Sequence, residues 1–120
     1  MKTILLVDDD KLNLNLALRI LSKEYKVMPA PSGKVALDIV SKKEMDLILL
    51  DVLMPEMDGF ETLKEMKNIK GDALAPVVFL TADDTEETKD KGIALGAKGF
   101  LKKPLETAKL LKAVSDALSE

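Results

Sequence analysis

The feature of this sequence that most constrains its fold is a series of short, unbroken apolar runs that alternate with segments of helical spacing. The clearest runs cover residues 4–7, 47–50 and 77–80, and weaker ones cover residues 25–28 and 99–101. Short apolar runs are typical of strands that are covered on both faces. Between them, apolar residues recur three or four positions apart, as in amphipathic helices. The strict alternation of the two types predicts a parallel α/β sheet.

One segment is ambiguous, because residues 12–16 alternate leucine and asparagine as a half-buried strand would. Wound as a helix, the segment and its continuation place polar residues 15, 19, 22 and 23 on one arc and apolar residues 14, 17, 20 and 21 elsewhere. Because leucine and alanine favour helix over strand, we predict a helix here.

Helix start signals precede three further segments: Ser32, then Asp58 with Glu61 three residues later, and then the pair Asp83 and Asp84. No internal repeat, low-complexity tract or flexible linker interrupts the alternation. We therefore expect residues 1–120 to form a single domain. Whether it stands alone or was cut from a protein with an output module is left open.

Composition narrows the chemistry that the chain can perform. Its 120 residues are 47% hydrophobic, which suits one globular domain, and its formal charge of -3 comes with no basic block for nucleic acid. The first apolar run is too short for a signal peptide or a membrane span, so we expect a cytoplasmic protein that does not enter the membrane. The chain contains no cysteine and no histidine. Its chemistry must therefore use carboxylates, lysines and hydroxyls.

Polar residues follow four of the predicted strands, at the edge where open parallel sheets bind ligands. In chain order they are Asp8, Asp9 and Asp10, then Asp51, then Thr81, then Lys102 and Lys103. Each group taken alone has an ordinary explanation as a solvated turn, a helix cap or surface charge. Their joint placement at successive strand ends indicates a functional site.

Several carboxylates brought together repel one another unless a cation or a raised pKa relieves the repulsion. Mg²⁺ is the natural candidate, because it takes oxygen ligands from one or two carboxylates, water and a phosphate. A carboxylate can also attack phosphorus to give an aspartyl phosphate. That transfer needs positive charge and donors at the phosphoryl oxygens, which Mg²⁺, a lysine and the Thr81 hydroxyl can supply.

In these motifs the chain resembles the receiver domain of bacterial response regulators. The resemblance spans essentially the whole chain and rests on Val7, Asp8, Asp9, Asp51, Met54, Pro55, Met57, Asp58, Gly59, Thr81, Ala82, Gly96, Ala97, Lys103 and Pro104. It implies a flavodoxin-like, doubly wound, five-stranded parallel sheet of order 2-1-3-4-5 with helices on both faces. It also implies a receiver in two-component signal transduction.

The resemblance further implies which residues hold the phosphoryl group and the metal. Asp51 would be the phosphoacceptor and a metal ligand. Asp9 would bind Mg²⁺ directly, Asp8 would hold it largely through water, and the backbone carbonyl of Leu53 would be a further ligand. Asp10 lies outside the matched pair and receives no role.

The resemblance also implies a switch. Lys103, and not Lys102, would pair with the phosphoryl group, and Thr81 would hydrogen-bond one of its oxygens. Phe100 would report the switch by moving inward or outward. The responding surface would be the helix over residues 84–94, the strand near Phe100 and the final helix.

Partners follow from the same resemblance. Since the chain has no histidine, its phosphoryl group would come from the phosphohistidine of a sensor histidine kinase or of a histidine phosphotransfer protein. A downstream output protein or domain would read the switch. The chain would be a monomer or a phosphorylation-dependent dimer, and its self-dephosphorylation would be stoichiometric, not that of an enzyme.

Two other functions would also place an aspartate or a phosphate at the carboxyl edge of such a sheet. A Mg²⁺-dependent phosphatase resembling the haloacid dehalogenase class needs a second aspartate two residues after the nucleophile, where this chain has Leu53, and it also needs a cap segment. A flavin mononucleotide module needs backbone amides and hydroxyls after the first strand, where three aspartates would repel the phosphate. Multiple turnover of a phosphate ester would favour the phosphatase, and a yellow colour would favour the flavin module.

Overall fold

Parallel strands form one five-stranded sheet of order 2-1-3-4-5, as predicted, in a computed structural model that describes residues 1–119. The strands are β1 (Thr3–Val7), β2 (Lys26–Ala30), β3 (Leu47–Asp51), β4 (Val77–Thr81) and β5 (Gly99–Lys102). The helices are α1 (Lys11–Leu21), α2 (Gly33–Lys42), α3 (Gly59–Lys70), α4 (Glu86–Ala94) and α5 (Thr107–Leu118), with a short 3₁₀ turn at Gly71–Ala73.

The sheet is covered on both faces, which explains why its central strands carry unbroken apolar runs, at residues 4–7, 47–50 and 77–80. Successive side chains of a strand point to opposite faces, so each central strand contributes to two cores. One core packs α1 and α5 against the sheet, and its buried members include Ile4, Leu6, Leu14, Leu21, Leu49, Leu110 and Val114. The other packs α2 and α3 against the opposite face, and its buried members include Leu5, Val7, Val40, Ile48, Leu63, Met66 and Phe79.

The ambiguous segment after β1 is a helix, as predicted. Leu14 is buried, whereas Leu12 and Leu16 are 77% and 48% exposed, so the alternation of leucine and asparagine does not mark a strand. Asp10 caps this helix, and its carboxylate accepts hydrogen bonds from the backbone amides of Leu12 and Asn13. Asp10 therefore has a structural role in starting α1.

Two of the predicted helix starts are confirmed. Ser32 accepts a hydrogen bond from the amide of Val35, and Asp58 forms a capping box with Glu61. The predicted start of α4 at Asp83 and Asp84 is wrong, because the cap is Thr85 and the helix begins at Glu86. The carboxylate of Asp83 instead accepts hydrogen bonds from Thr85 and Thr88.

The second strand lies later than predicted. The apolar run at residues 25–28 suggested its position, but β2 pairs with β1 from Lys26 to Ala30. The pairing carries the strand through Pro29, which is tolerated because β2 is at the edge of the sheet. Hydrophobicity alone did not reveal this register.

Within residues 1–119, no helix combines the length and apolar character needed to cross a bilayer.

Candidate functional site

Neighbouring strands deliver three carboxylates to the carboxyl edge of the sheet. Asp8 and Asp9 follow β1, and Asp51 is the last residue of β3, which pairs directly with β1. One oxygen from each of these aspartates lies within 4.8 Å of the others. Asp8 and Asp51 are buried, while Asp9 is exposed at the rim. The cluster is therefore reached from solvent at the Asp9 side.

A lysine ammonium joins the two buried carboxylates. The Nζ of Lys103 lies 2.9 Å from Oδ2 of Asp8 and 3.0 Å from Oδ2 of Asp51. The backbone amide of Lys103 donates to the carbonyl of Thr81 at 2.8 Å, which extends the β4–β5 pairing and positions the side chain. Lys102 points away and pairs with exposed Asp84. Of the two lysines after β5, only Lys103 belongs to the carboxylate cluster.

Burial controls the electrostatics of this cluster. Burial, with a further contribution from the negative charge of Asp8, raises the pKa of Asp51 to about 6, and Lys103 opposes this rise. Burial would lower the pKa of Lys103, but its hydrogen bonds to Asp8 and Asp51 reverse that effect and raise the pKa above its usual value. Lys103 is therefore a cation at neutral pH. Its single positive charge is fewer than the three carboxylates of Asp8, Asp9 and Asp51.

The donor set suits a hard divalent cation. Oδ1 of Asp8 accepts the backbone amide of Asp10 at 3.0 Å and Oδ2 accepts Lys103, so both oxygens are already engaged. Within residues 1–119 the Asp9 carboxylate makes no hydrogen bond or ion pair. Carboxylate oxygens are the ligands that Mg²⁺ takes from proteins. The residues present therefore fit a Mg²⁺ ion, with Asp9 the most available of the three.

Thr81, at the end of β4, is buried, but its hydroxyl makes its hydrogen bonds to Asp83 and not to the carboxylates of the cluster. Its hydroxyl donates to the carbonyl of Asp83 at 3.0 Å and accepts from the amide of Asp83 at 2.9 Å. Leu53 follows Asp51 in the loop before α3, and its side chain is 65% exposed. To donate a hydrogen bond to a phosphoryl oxygen, the Thr81 hydroxyl must give up its bond to the Asp83 carbonyl.

Phe100, the other predicted switch residue, is on β5, and its ring contacts Phe79 of β4 and approaches Gly92 of α4. Its ring stacks on Phe79 with centroids 5.7 Å apart. A Cβ atom at Gly92 would overlap Cζ of Phe100 and lie 3.0 Å from its Cε1. The absence of a side chain at Gly92 therefore lets the ring of Phe100 pack closely against α4. Sequence reasoning missed Gly92, although a glycine inside a predicted helix is a signal for a close packing contact.

The response regulator receiver domain family matches residues 4–115. This chain belongs to that family. The match covers all five strands and the carboxylate cluster. Receiver domains are the signalling domains of two-component systems rather than enzymes, and phosphorylation and Mg²⁺ binding at an acidic site are features of the family.

Solved receivers and curated relatives agree with this assignment. The chemotaxis protein CheY of Halobacterium salinarum is 34% identical over 98% of each chain. The structure of the chemotaxis protein CheY4 of Vibrio cholerae superposes with a TM-score of 0.93 at 34% identity, covering 98% of this chain and 99% of that one. The BeF₃-activated DrrB receiver domain superposes with a TM-score of 0.88 at 28% identity, covering 100% of this chain and 99% of that one.

Other relatives are much longer than this chain. A probable cyclic di-GMP phosphodiesterase of Vibrio cholerae is 40% identical over 86% of this chain, which spans only 23% of that protein. The response regulator SaeR of Staphylococcus aureus is 33% identical over 99% of this chain, which spans 51% of that protein. Receivers of this kind thus occur both as nearly whole proteins and as parts of larger ones.

Proposed function

We propose that Asp51 accepts a phosphoryl group from a partner's phosphohistidine, with Mg²⁺ held by Asp8, Asp9, Asp51 and the backbone carbonyl of Leu53. The observation that carries this proposal is the convergence of two buried carboxylates on one ammonium, Lys103, beside a third carboxylate that is free at the rim. An ion pair that served stability alone would need only one carboxylate per ammonium. Surplus negative charge at a strand edge supports a functional site.

In the transfer, a carboxylate oxygen of Asp51 attacks phosphorus and forms an O–P bond. The P–N bond of the donor breaks, and its electron pair stays on the imidazole nitrogen, which takes up a proton. Lys103 offers its ammonium to the phosphoryl oxygens from its position between Asp8 and Asp51. When bound, Mg²⁺ would neutralise charge that develops on those oxygens.

Reversal of the signal needs only water. Attack of water on phosphorus breaks the bond to Asp51 and releases inorganic phosphate, which returns the carboxylate to its starting state. Each Asp51 carboxylate thus holds one phosphoryl group at a time and releases it as inorganic phosphate. The activity is stoichiometric autophosphotransfer and self-dephosphorylation, not multiple turnover of a free substrate.

The phosphoryl group would act as a switch by drawing Thr81 and Lys103 inward. It adds negative charge and acceptor oxygens near both side chains. Movement of Thr81 would open space that Phe100 can enter, and α4, β5 and α5 would form the responding surface. Coupling of this kind is typically about 1 to 3 kcal/mol, which shifts populations several-fold to about a hundredfold.

The partners in this proposal are a sensor histidine kinase or a histidine phosphotransfer protein, and an output protein or domain. Two exposed leucines support a protein donor. Leu12 is the second residue of α1 and Leu53 lies two residues after Asp51, and both side chains are largely exposed. We further propose that residues 1–120 act as a single receiver domain in the cytoplasm, without direct contact to nucleic acid or membrane. The domain would be a monomer or would dimerise on phosphorylation.

Intact mass spectrometry tests the phosphoryl transfer. Incubation with Mg²⁺ and a small acyl-phosphate donor is expected to add one phosphoryl group to the parent chain and none to Asp51→Asn. Asp10→Asn is the matched control, because asparagine also caps helices and Asp10 lies outside the cluster, so its adduct is expected to persist. An unchanged mass in the parent, or an adduct on Asp51→Asn, would contradict the proposal.

The residues two positions beyond Asp51 and Thr81 are expected to set the lifetime of the acyl phosphate. Leu53 and Asp83 are both exposed, and we propose that they flank the phosphoryl group and control the access of an attacking water. We expect Leu53→Asn and Asp83→Ala to change the first-order rate of dephosphorylation, measured as loss of the adduct over time. Identical rates in both variants and the parent would rule out this role.

A further inference from the structure

The hydroxyl of Thr81 is engaged in a closed turn with Asp83. It donates its proton to the Asp83 carbonyl at 3.0 Å and accepts the Asp83 amide at 2.9 Å. A threonine hydroxyl carries a single proton, so it cannot donate to this carbonyl and to a phosphoryl oxygen at the same time. The turn and a phosphoryl group therefore compete for one donor.

Asp83 is itself tied to the beginning of α4. One carboxylate oxygen accepts the backbone amide of Thr85 at 3.0 Å, and the other accepts the hydroxyl of Thr88 at 2.9 Å. Thr85 caps the helix by accepting the amide of Thr88. The bonds to the carboxylate lower the pKa of Asp83, so this acceptor is ionised at neutral pH. The backbone that holds Thr81 is thus connected to the first turn of α4 through one side chain.

We propose that Asp83 and Thr88 are positioning residues that hold Thr81 in its unphosphorylated orientation. The backbone carbonyl of Asp83, held in place by the bonds of the Asp83 carboxylate to Thr85 and Thr88, competes with the phosphoryl group for the Thr81 hydroxyl proton. This inference rests on the proposed phosphorylation of Asp51. Removing the bond between Thr88 and Asp83 lowers the cost of releasing Thr81, and the affinity for a phosphoryl group rises. By reciprocity, the phosphoryl group weakens the bonds at the start of α4.

A helix cap with no link to the switch would behave differently. Its loss would lower the melting temperature and leave the affinity for a phosphoryl group unchanged. Thr88 is the better probe of the two residues, because removing Asp83 also removes a negative charge near the phosphoryl position. Valine at position 88 has nearly the shape and helix propensity of threonine and lacks only the hydroxyl. Serine restores the hydroxyl.

The experiment measures binding of beryllofluoride, a phosphoryl mimic, to the full chain with saturating Mg²⁺ by ¹⁹F NMR titration. Thr88→Val removes the hydrogen bond from Thr88 to the Asp83 carboxylate and also the one that the Thr88 hydroxyl accepts from the Thr85 hydroxyl. We expect this variant to bind beryllofluoride about 2- to 10-fold more tightly than the parent, the range that the net contribution of a solvent-exposed hydrogen bond predicts. Thr88→Ser is expected to bind as the parent does. The Mg²⁺ affinity without beryllofluoride is expected to be the same in all three proteins.

Equal or weaker binding by Thr88→Val, or tighter binding by both variants, would overturn the positioning role. In either case, beryllofluoride binding by the parent would leave the proposed phosphorylation intact. A parent that binds no beryllofluoride and gains no phosphoryl adduct would overturn both proposals. Asp83→Ala serves as a second variant, and it is expected to bind at least as tightly as Thr88→Val.

Discussion

Gly59→Ala is expected to lower the free energy of unfolding by about 3 kcal/mol and to abolish the phosphoryl adduct on Asp51. Gly59 is the first residue of α3, and a Cβ atom there would overlap the carbonyl oxygen of Asp51. It would also lie 2.9 Å from Cα of Val52. Both are backbone atoms of the segment that contains Asp51, so no side-chain rotation can relieve the overlap. Either α3 or the end of β3 must shift.

Urea unfolding and intact mass spectrometry measure the two effects. Gly99→Ala is the matched control, because a Cβ atom at that position meets no atom within 4 Å. Its stability is expected to stay within about 1 kcal/mol of the parent, and its adduct is expected to form normally. Alanine is the better helix former, so a purely local effect at Gly59 would be stabilising. Parent-like stability and phosphorylation in Gly59→Ala would show that α3 adjusts freely.

Asp51→Asn is expected to stabilise the chain at pH 8 in the absence of Mg²⁺. The usual pKa of this carboxyl is 3.8, and burial with the nearby charge of Asp8 raises it to about 6 in the folded state. Between these values the folded state binds more protons than the unfolded state, so the contribution of Asp51 to stability falls as pH rises through this window. Above about pH 6 Asp51 is ionised in the folded chain, and the burial of its charge destabilises the fold fully.

A shift of this size corresponds to at most about 3 kcal/mol, at about 1.4 kcal/mol per pKa unit. We therefore expect Asp51→Asn to raise the free energy of unfolding by about 1 to 3 kcal/mol at pH 8, and the gain to shrink towards pH 4. Added Mg²⁺ is expected to stabilise the parent more than the variant, which narrows the difference. Urea unfolding at several pH values, with and without Mg²⁺, measures these changes.

Asp38→Asn is the control for this series. Asp38 lies on the surface of α2, where its ion pair with Lys42 is exposed on both sides, and such pairs contribute little. The free energy of unfolding of Asp38→Asn is expected to equal that of the parent at every pH. If Asp51→Asn were less stable than the parent at pH 8 without Mg²⁺, then Lys103 would outweigh the burial of Asp51, and the site would be a structural ion pair.

Element types were predictable from the sequence, whereas several boundaries were not. The start of α4 shows the reason, because Asp83, Asp84 and Thr85 are all good caps and local sequence does not rank them. The structure selects Thr85, since the Asp83 carboxylate is already bonded to Thr85 and Thr88. The start and end of β2 were likewise set by pairing with β1 and not by its own hydrophobicity.

The sequence placed Asp8, Asp9, Asp51 and Lys103 at one edge of the sheet, and the structure brings these four together, but their geometry was not predictable. These residues are visible because each follows an apolar run, and all strands of a parallel sheet end at one edge. The sequence does not reveal which aspartates are buried, which oxygens are already engaged, or where the Thr81 hydroxyl points. The glycine at position 92 signals a close contact, but the sequence does not reveal that the partner is the ring of Phe100 on β5.

The sequence by itself determined the alternation of strands and helices, the parallel sheet and the set of polar residues at its carboxyl edge, because these follow from periodicity among near neighbours. Only the tertiary structure decided that Lys103 joins Asp8 and Asp51 while Asp9 stays at the rim. The physical reason is distance along the chain: Lys103 lies 95 residues from Asp8 and 52 from Asp51. Burial and pairing between such residues arise only when the sheet assembles.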